Sequence, residues 1–356
     1  MKTRYSMKRI LNAFSPLIGQ RSSGDVRIQL SPPPKFETYR LEVERNGQKR
    51  KVESLNDAED ASKVVELVIV ESESARAFGV ESSLVEDFYV QTKLRSTLIC
   101  VKVAGERMHQ QKSMDNLVVL FCQPAHTDLG SWLQPHRLNL ESIAVALKLD
   151  VYSFDYSGYG YSTGTPSEKN IYADVQAVYG ALREARPDKH VVLVGYELGA
   201  AAAIDFAATE PDGLAGLVLI SPFTSELRYT SPQKYRLDSA TKPNDRFTNI
   251  DKIGSIDVPV LILHGENDKK IPVSHSQFLH KKLKRPLPLA IVKGADHETI
   301  ISAGEGKGGF TFARILRFLH KETSLYGEFS SSSYSSGEHA FSDFDSDLPS
   351  TADGLN

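Results

Sequence analysis

The strongest constraint on the fold is a regular alternation of short apolar runs with longer segments of helical periodicity. The apolar runs are LVVLFC, VYSFD, VVLV, GLVLIS, VPVLILH and PLAIV. The segments that follow them predict helices near Leu138–Leu147, Asn170–Ala185, Leu198–Thr209, Ser274–Leu283 and Phe310–His320. Apolar strands separated by crossover helices predict an α/β fold with a mostly parallel, doubly wound sheet and helices on both faces. Ligands of such sheets bind beyond the carboxyl ends of the strands, so functional residues are expected in those loops.

Composition excludes several classes of protein. The 356 residues are 40% hydrophobic and 24% charged, which is ordinary for a globular domain. No run approaches the roughly 18 apolar residues of a transmembrane helix. The net charge of -3 argues against a general nucleic-acid binder. The two cysteines, Cys100 and Cys122, lie in apolar runs, so we expect no disulfide framework, no metal site and no cofactor.

Charge divides the chain into three parts. Residues 1–51 contain twelve Lys and Arg against four Asp and Glu, whereas residues 321–356 contain one Lys against seven acidic residues. We therefore predict a basic N-terminal extension at 1–64, an α/β domain at 65–322 and a tail at 323–356, with both ends peripheral. The tail is rich in Ser and acidic residues and poor in aliphatic ones, which is typical of disorder.

The basic extension contains two local patterns. Asn46-Gly47, between TYRLEVER and QKRKVE, predicts a hairpin, and a polar linker is expected at 54–64. Apolar residues from Met7 to Phe14 recur at helical spacing beside basic ones. This segment is either a short helix on an anionic membrane surface or a terminal turn that frays or docks on its own domain.

The sharpest local pattern is Gly195-Tyr196-Glu197-Leu198-Gly199, between the strand VVLV and an Ala-rich helix. Glycines two before and two after the central residue suit a very tight turn from strand to helix. The arrangement is typical of the nucleophile elbow, G-x-S-x-G, which presents one side chain at a helix N-terminus. Here that side chain is Glu197. Taken alone, the two glycines could equally serve to pack a helix closely against a strand.

Two later loops add the remaining members of a catalytic triad. Asp268 follows the strand VPVLILH, and His297 follows the next strand, PLAIV. The order of elbow residue, acid and histidine along the chain is that of α/β-hydrolase sites. In such a site the imidazole takes the proton of the nucleophile, and the carboxylate fixes the tautomer of the imidazole. Glu197, Asp268 and His297 are therefore the candidate site residues.

Several segments of the chain closely resemble the α/β-hydrolase domain-containing protein 17 family. They are FDYSGYGYSTGTPSEKNIYADVQAVYGAL, PNDRFTNIDKI, PVLILHGENDKKI and VKGADH, and the resemblance covers roughly residues 85–320. The resemblance implies an α/β-hydrolase fold. It also implies the activity of a serine hydrolase that acts as a depalmitoylase, which is a thioesterase that removes palmitate from protein cysteines. It also implies that Glu197 occupies the nucleophile position, Asp268 the acid position and His297 the general-base position.

Two departures from the family pattern bear on activity. Glu197 stands where the family has its elbow serine, and Gln123-Pro124-Ala125 stands where the family has His-Gly-Asn. The resemblance implies that the N–H of Leu198 and the loop at Ala125 supply the two donors of the oxyanion hole. Pro124 disturbs the second donor, because proline fixes φ and has no N–H.

The substitution at the elbow changes the chemistry that the site can perform. An ionised glutamate has no hydroxyl proton for His297 to remove, so we expect Glu197 to form a charge-assisted hydrogen bond with protonated His297. Ser157, Ser162 and Cys122 could replace the missing nucleophile, but none of them lies on the elbow.

The sequence leaves three functions open. The first is a pseudo-hydrolase that binds S-acylated proteins or acyl chains without hydrolysing them. The second is an active palmitoyl-protein thioesterase with a non-standard nucleophile, and the third is a noncatalytic scaffold that works through its acidic tail. We expect a cytoplasmic protein that binds no nucleic acid and touches the cytoplasmic face of the plasma or endosomal membrane weakly, through its basic extension.

Overall fold

Two β-sheets organise the residues that the structure describes. The structure is a computed structural model, and it describes residues 37–45, 48–52, 55, 64–70, 77–79, 85–105, 114–134, 138–302 and 307–323. The smaller sheet contains β1 (Tyr39–Arg45), β2 (Gln48–Lys51), β3 (Val64–Val70) and β4 (Ala77–Gly79), in the order β2-β1-β3-β4. The larger sheet contains β5 (Val85–Gln91), β6 (Thr97–Val103), β7 (Leu117–Cys122), β8 (Val151–Phe154), β9 (His190–Tyr196), β10 (Leu214–Ile220), β11 (Val260–Gly265) and β12 (Ala290–Val292).

The larger sheet has the strand order β12-β11-β10-β9-β7-β8-β6-β5. The pairs β5–β6 and β6–β8 are antiparallel, whereas all pairs from β8 across to β12 are parallel. The connections contain α1 (Leu129–Trp132), α2 (Leu140–Leu147), α3 (Glu168–Ala185), α4 (Leu198–Ala207), α5 (Glu226–Thr230), α6 (Asn249–Lys252) and α7 (Ser274–His280), and α8 (Lys307–Lys321) follows β12. The predicted α/β fold with a mostly parallel, doubly wound sheet is confirmed.

Alternate side chains of each strand are buried against opposite layers of helices. On β9, Val191 and Leu193 pack in one apolar cluster with side chains of α3 and α4. Val192 and Val194 pack in a second cluster with side chains of α2 and α8. Because helices cover both faces, the parallel strands read as continuous apolar runs rather than as alternating ones.

The connection between β10 and β11 contains two short helices, α5 and α6, that the sequence did not predict. Arg228 of α5 is buried and pairs with Asp245 at 3.3 Å. Its guanidinium also donates to the carbonyl oxygen of Ser239 at 2.7 Å. Asp245 accepts a hydrogen bond from the N–H of Leu227 at 2.9 Å. Polar side chains hold this segment to its own backbone, so it carries little apolar periodicity that sequence analysis could detect.

The smaller sheet crosses the predicted domain boundary. β1 and β2 form an antiparallel pair on either side of Asn46-Gly47, with Arg45 opposite Gln48, as expected of the hairpin. β1 also pairs antiparallel with β3. The boundary placed between residues 64 and 65 therefore falls inside β3, a strand that is hydrogen-bonded to β1.

Side chains of β1 join the smaller sheet to the larger one. Tyr39, Leu41 and Val43 alternate along β1 and are buried in the cluster that contains α2 and α8. The Tyr39 hydroxyl donates to Asp155 Oδ2 at 2.6 Å and accepts from the N–H of Tyr161 at 2.9 Å. The basic extension was predicted to be peripheral, but β1 contributes to the core. Its net charge concealed an alternation of apolar and charged residues, which is the pattern of a half-buried strand.

Two predictions concern residues outside those described, namely the amphipathic segment Met7–Phe14 and the disordered tail from residue 324 onward. None of the helices in the described ranges combines the length and the apolar character that crossing a membrane requires. Within the same ranges, no group of three or more His, Cys, Asp or Glu side chains is arranged to hold a metal ion.

The contacts of Tyr39 predict the cost of removing its hydroxyl. Tyr39→Phe deprives the buried Asp155 carboxyl of a donor and the N–H of Tyr161 of an acceptor. We expect the free energy of unfolding, measured by urea denaturation, to fall by about 1–3 kcal/mol. The control is Tyr235→Phe in the connection between α5 and α6, where we expect a change within about 0.5 kcal/mol. Equal effects of the two changes would contradict the assigned role of Tyr39.

Candidate active site

The turn between β9 and α4 presents Glu197 at the carboxyl edge of the larger sheet. Its backbone has φ 53° and ψ -107°, a conformation that residues other than glycine rarely adopt. The N–H of Glu197 donates to the carbonyl oxygen of Ile220 at the end of β10, at 3.0 Å. Strained backbone of this kind persists only where its surroundings hold it in place, and it is concentrated at functional sites. The turn agrees with the elbow that the sequence predicts.

Two glycines make this turn sterically feasible. A Cβ atom on Gly199 would lie 1.9 Å from the carbonyl oxygen of Cys122, and one on Gly195 would lie 2.4 Å from the carbonyl oxygen of Gly199. The first turn of α4 therefore packs directly against the end of β7 and against the end of its own strand. No side chain fits at either position, which is the requirement that the G-x-x-x-G spacing predicted.

The structure brings Asp268 and His297 together from the loops that follow β11 and β12. His297 Nδ1 donates to Asp268 Oδ2 at 2.7 Å. The other carboxylate oxygen, Oδ1, accepts from the N–H groups of Lys270 and Ile271 at 3.0 and 2.8 Å. His264 Nε2, on β11, lies 3.4 Å from Asp268 Oδ2. These contacts fix the orientation of the carboxylate, and through it the ring of His297.

Glu197 has a different first partner from the one that the sequence suggested. Lys270 Nζ lies 2.8 Å from Glu197 Oε1, whereas His297 Nε2 lies 3.7 Å from Glu197 Oε2. The second distance is that of an ion pair and is too long for a hydrogen bond. Lys270 therefore takes the hydrogen bond that the sequence analysis assigned to His297. The N–H of Lys270 also donates to Asp268 Oδ1 at 3.0 Å, so the backbone of the lysine is held beside Asp268.

The charges around Asp268, Glu197 and His297 favour the ionised form of these three groups. Burial disfavours the charged form of each of the three, but it is outweighed. The carboxylates of Asp268 and Glu197 keep the pKa of His297 above its ordinary value. His297 and Lys270 keep the pKa of Glu197 below its ordinary value. Hydrogen bonds from His264, His297 and a backbone N–H lower the pKa of Asp268 further.

The loop that the resemblance assigns to the oxyanion hole is anchored by Gln123. This side chain is buried, and its Nε2 donates to the carbonyl oxygen of Phe154 and to Asp155 Oδ1, both at 2.9 Å. Asp155 Oδ1 also accepts from the N–H of Leu129 at 2.8 Å. Half-buried Ala125 lies further along this loop, and Leu198 is the first residue of α4. The amide of Gln123 thus fixes the start of the loop to the end of β8.

The structure describes the surroundings of the three residues that the sequence offered as alternative nucleophiles. Cys122 is fully buried, and burial raises the pKa of its thiol to about 12. The Ser157 hydroxyl donates to Asp174 Oδ1 at 2.7 Å, and the Ser162 hydroxyl donates to the carbonyl oxygen of Asp155 at 2.8 Å. Both serine side chains are also buried. A thiol that stays protonated and two hydroxyls engaged in buried hydrogen bonds are poorly suited to attack a substrate.

Sequence reasoning missed Lys270 and His126. His126 lies in the loop after β7, with φ 67°. Burial and then the charge of Lys270 lower the pKa of His126, while Glu197 acts in the opposite direction, so the imidazole lies within the field of both groups. The signal for Lys270 was its place two residues after Asp268, which becomes informative only once the backbone turn at that carboxylate is known.

Comparisons with known proteins agree with this geometry. The family described as serine aminopeptidase, S33 matches residues 145–243. Alpha/beta hydrolase domain-containing protein 17B of Xenopus tropicalis is 34% identical over 245 residues, 68% of this chain and 77% of that protein. The protein of the same name from Homo sapiens is 33% identical over the same shares. An esterase of Pyrococcus furiosus shares the fold, with a TM-score of 0.51, 17% identity and coverage of 67% of this chain and 91% of that one.

The close packing of the elbow predicts opposite effects for two Gly→Ala changes. Gly199→Ala would force a Cβ atom into the backbone of β7, and we expect it to destabilise the protein by more than about 3 kcal/mol or to prevent folding. Gly180→Ala, within α3, meets no atom within 4 Å. It should stabilise the protein by about 0.5–1 kcal/mol, because alanine has the higher helix propensity. Thermal unfolding of both variants tests this, and a tolerated Gly199→Ala would contradict it.

The charges around His297 predict a pH dependence. The pKa of His297 is higher in the folded protein than in the unfolded chain, so its stabilising contribution is complete below about pH 6.5 and is lost as the pH rises through the folded value. The difference in unfolding free energy between wild type and His297→Gln should shrink as the pH is raised from about 6 to about 9. Urea denaturation at several pH values measures it.

An NMR titration of His297 measures how much Glu197 contributes to the pKa of this imidazole. Glu197→Gln removes one of the two carboxylates beside His297 and should lower the pKa of that imidazole. Glu298→Gln removes an exposed carboxylate next to His297 in the chain and should change the pKa much less. An unchanged pKa in Glu197→Gln would show that the ion pair at the elbow has no electrostatic effect.

Proposed function

The chain belongs to the α/β-hydrolase domain-containing protein 17 family, and we propose that it is a catalytically impaired member that acts by binding. The observation that carries this proposal is the side chain at the elbow. Glu197 stands in the strained turn where a serine hydrolase presents its nucleophile, and Lys270 and His297 hold its carboxylate in place. The protein would bind S-acylated proteins or acyl chains, the substrate class that its resemblance to depalmitoylases implies.

The chemistry of the carboxylate supports the loss of ester hydrolysis. Serine hydrolases need a hydroxyl whose proton passes to a neutral histidine as the oxygen attacks. Glu197 offers no such proton, and the carboxylates of Glu197 and Asp268 favour the protonated form of His297. A protonated imidazole cannot serve as the general base. The missing hydroxyl and the protonation of His297 reinforce each other, since the carboxylate that stands in place of the hydroxyl also favours the protonated form of the histidine.

The oxyanion loop supports the same conclusion. Pro124 lacks an N–H, and the Gln123 side chain anchors the loop to β8. Removal of one oxyanion donor typically costs about 10²–10³ in rate. The alternative nucleophiles Cys122, Ser157 and Ser162 are buried, which argues against the second function considered from the sequence.

We further propose that the protein works at the cytoplasmic face of the plasma or endosomal membrane. The support is the excess of Lys and Arg in residues 1–51, which would be attracted to anionic lipid headgroups. Such attraction weakens as salt screens the charges, so the association would be peripheral and reversible.

Activity measurements on the elbow variants test the proposed function. Wild type should react with no serine-directed fluorophosphonate, and its thioester turnover should not exceed that of His297→Ala. Glu197→Ser should restore labelling with only weak turnover. Replacing Gln123-Pro124-Ala125 by His-Gly-Asn in that variant should raise turnover by about 10²–10³, the contribution of one oxyanion donor. Strong wild-type turnover that His297→Ala abolishes would overturn the proposal.

A further inference from the structure

The Glu197 carboxylate occupies surroundings that would bind any carboxylate. Lys270 Nζ contacts one oxygen at 2.8 Å, and His297 Nε2 faces the other at 3.7 Å. The His297 side chain is only 9% exposed, and its Nε2 has no hydrogen-bond partner. The first turn of α4, a helix of ten residues, begins directly after Glu197 and adds the positive end of its dipole.

The charges of the cluster balance only with Glu197 in place. Asp268 and Glu197 supply two negative charges. Lys270 supplies one positive charge, and His297 supplies a second one when it is protonated, which is the form that the two carboxylates favour. A ligand carboxylate would add a negative charge beside Glu197 and Asp268, whose nearest partners, Lys270 and His297, are already engaged, and this is unfavourable. Without Glu197, Lys270 would lose its nearest carboxylate and His297 Nε2 would lose the carboxylate that it faces, so the cluster would favour one anion in place of the missing side chain.

We propose that Glu197 is the built-in carboxylate ligand of an anion site, and that it restricts this protein to neutral acyl groups, such as acyl thioesters, while excluding free fatty acids. The selectivity for acyl ligands rests on the proposed function, whereas the anion site itself does not. The site thereby differs from that of a hydrolase, which must accommodate the carboxylate product. Here the position of that product is filled permanently by the chain.

The aromatic surroundings of Glu197 are suited to an uncharged ligand. Burial, and then the charges of Glu197 and Asp268, raise the pKa of Tyr229 to about 12. The same carboxylate adds to the effect of burial in raising the pKa of Tyr159. Phe223 stacks on Tyr229, with 5.6 Å between ring centroids. Phenol and phenyl rings carry no positive charge in any protonation state, so none of these rings compensates a ligand carboxylate.

The first experiment tests the anion site alone. Glu197→Gly removes the carboxylate and suits the positive φ of the elbow, so the variant should fold. Acetate should raise its melting temperature saturably, relative to chloride at equal ionic strength, and should leave wild type unchanged. Adding Lys270→Met should abolish this response, whereas adding the matched control Lys269→Met should preserve it. Absence of an acetate response in Glu197→Gly, or in Glu197→Ala as a second variant, would overturn the anion site.

The second experiment tests the selectivity. With both ligands delivered from cyclodextrin, wild type should bind an S-palmitoyl peptide at least about tenfold more tightly than palmitate. Glu197→Gly should reduce this ratio of affinities by at least about tenfold, which corresponds to about 1.4 kcal/mol. Equal wild-type affinities for the two ligands, or an unchanged ratio in the variant, would overturn the selectivity. Failure of wild type to bind either ligand would instead refute the proposed acyl-binding function, together with the selectivity that rests on it. The acetate response of Glu197→Gly would still show whether the anion site exists.

Discussion

The ion pair between Glu197 and Lys270 is the interaction on which a buried carboxylate at the elbow depends. A carboxylate buried at a strained turn would be unstable without a matched positive charge. Lys270 supplies that charge from a different strand connection, at 2.8 Å, and its side chain is 37% exposed. The exposed ammonium keeps contact with solvent while its partner is buried, which limits the cost of desolvating the pair.

Backbone constraints place the members of this cluster independently of their side-chain chemistry. Gly195 and Gly199 allow the elbow to form, and the parallel order of β9, β10, β11 and β12 brings successive loops to one edge of the sheet. The N–H groups of Lys270 and Ile271 orient Asp268 through its Oδ1 atom. None of these contacts requires a hydroxyl at position 197, so this geometry forms with a glutamate at the elbow.

A second buried carboxylate connects the site to the N-terminal strand. Asp155 accepts hydrogen bonds from Tyr39 on β1, from Gln123 in the oxyanion loop and from the N–H of Leu129. Burial, together with the charge of nearby Asp128, raises the pKa of Asp155 to about 7. One carboxyl group therefore joins the smaller sheet, the end of β8 and the loop beside the elbow, so that a change in any of these segments alters the hydrogen bonding of the other two.

The sequence was sufficient for the features that local patterns determine. Apolar runs between helical segments predicted the sheet, and the glycine spacing predicted the elbow at Glu197, since both depend on short-range geometry. The sequence did not predict the long-range polar contacts. The pairing of Lys270 with Glu197 and that of Tyr39 with Asp155 each join residues far apart in the chain, and neither leaves a periodic signal. The net positive charge of the extension gave no indication that β1 contributes residues to the core.

The same distinction explains how the elbow could change its chemistry without loss of the fold. A serine at position 197 would leave Lys270 without this partner and His297 with one neighbouring carboxylate instead of two. Glu197 pairs with Lys270 and adds a second carboxylate beside His297, and the charges of Glu197 and His297 favour each other's ionised form. On the proposed function, this fixed charge network stands in place of the mobile proton that hydrolysis needs. Such a network would favour recognition of a ligand over its chemical transformation, as the proposed function requires.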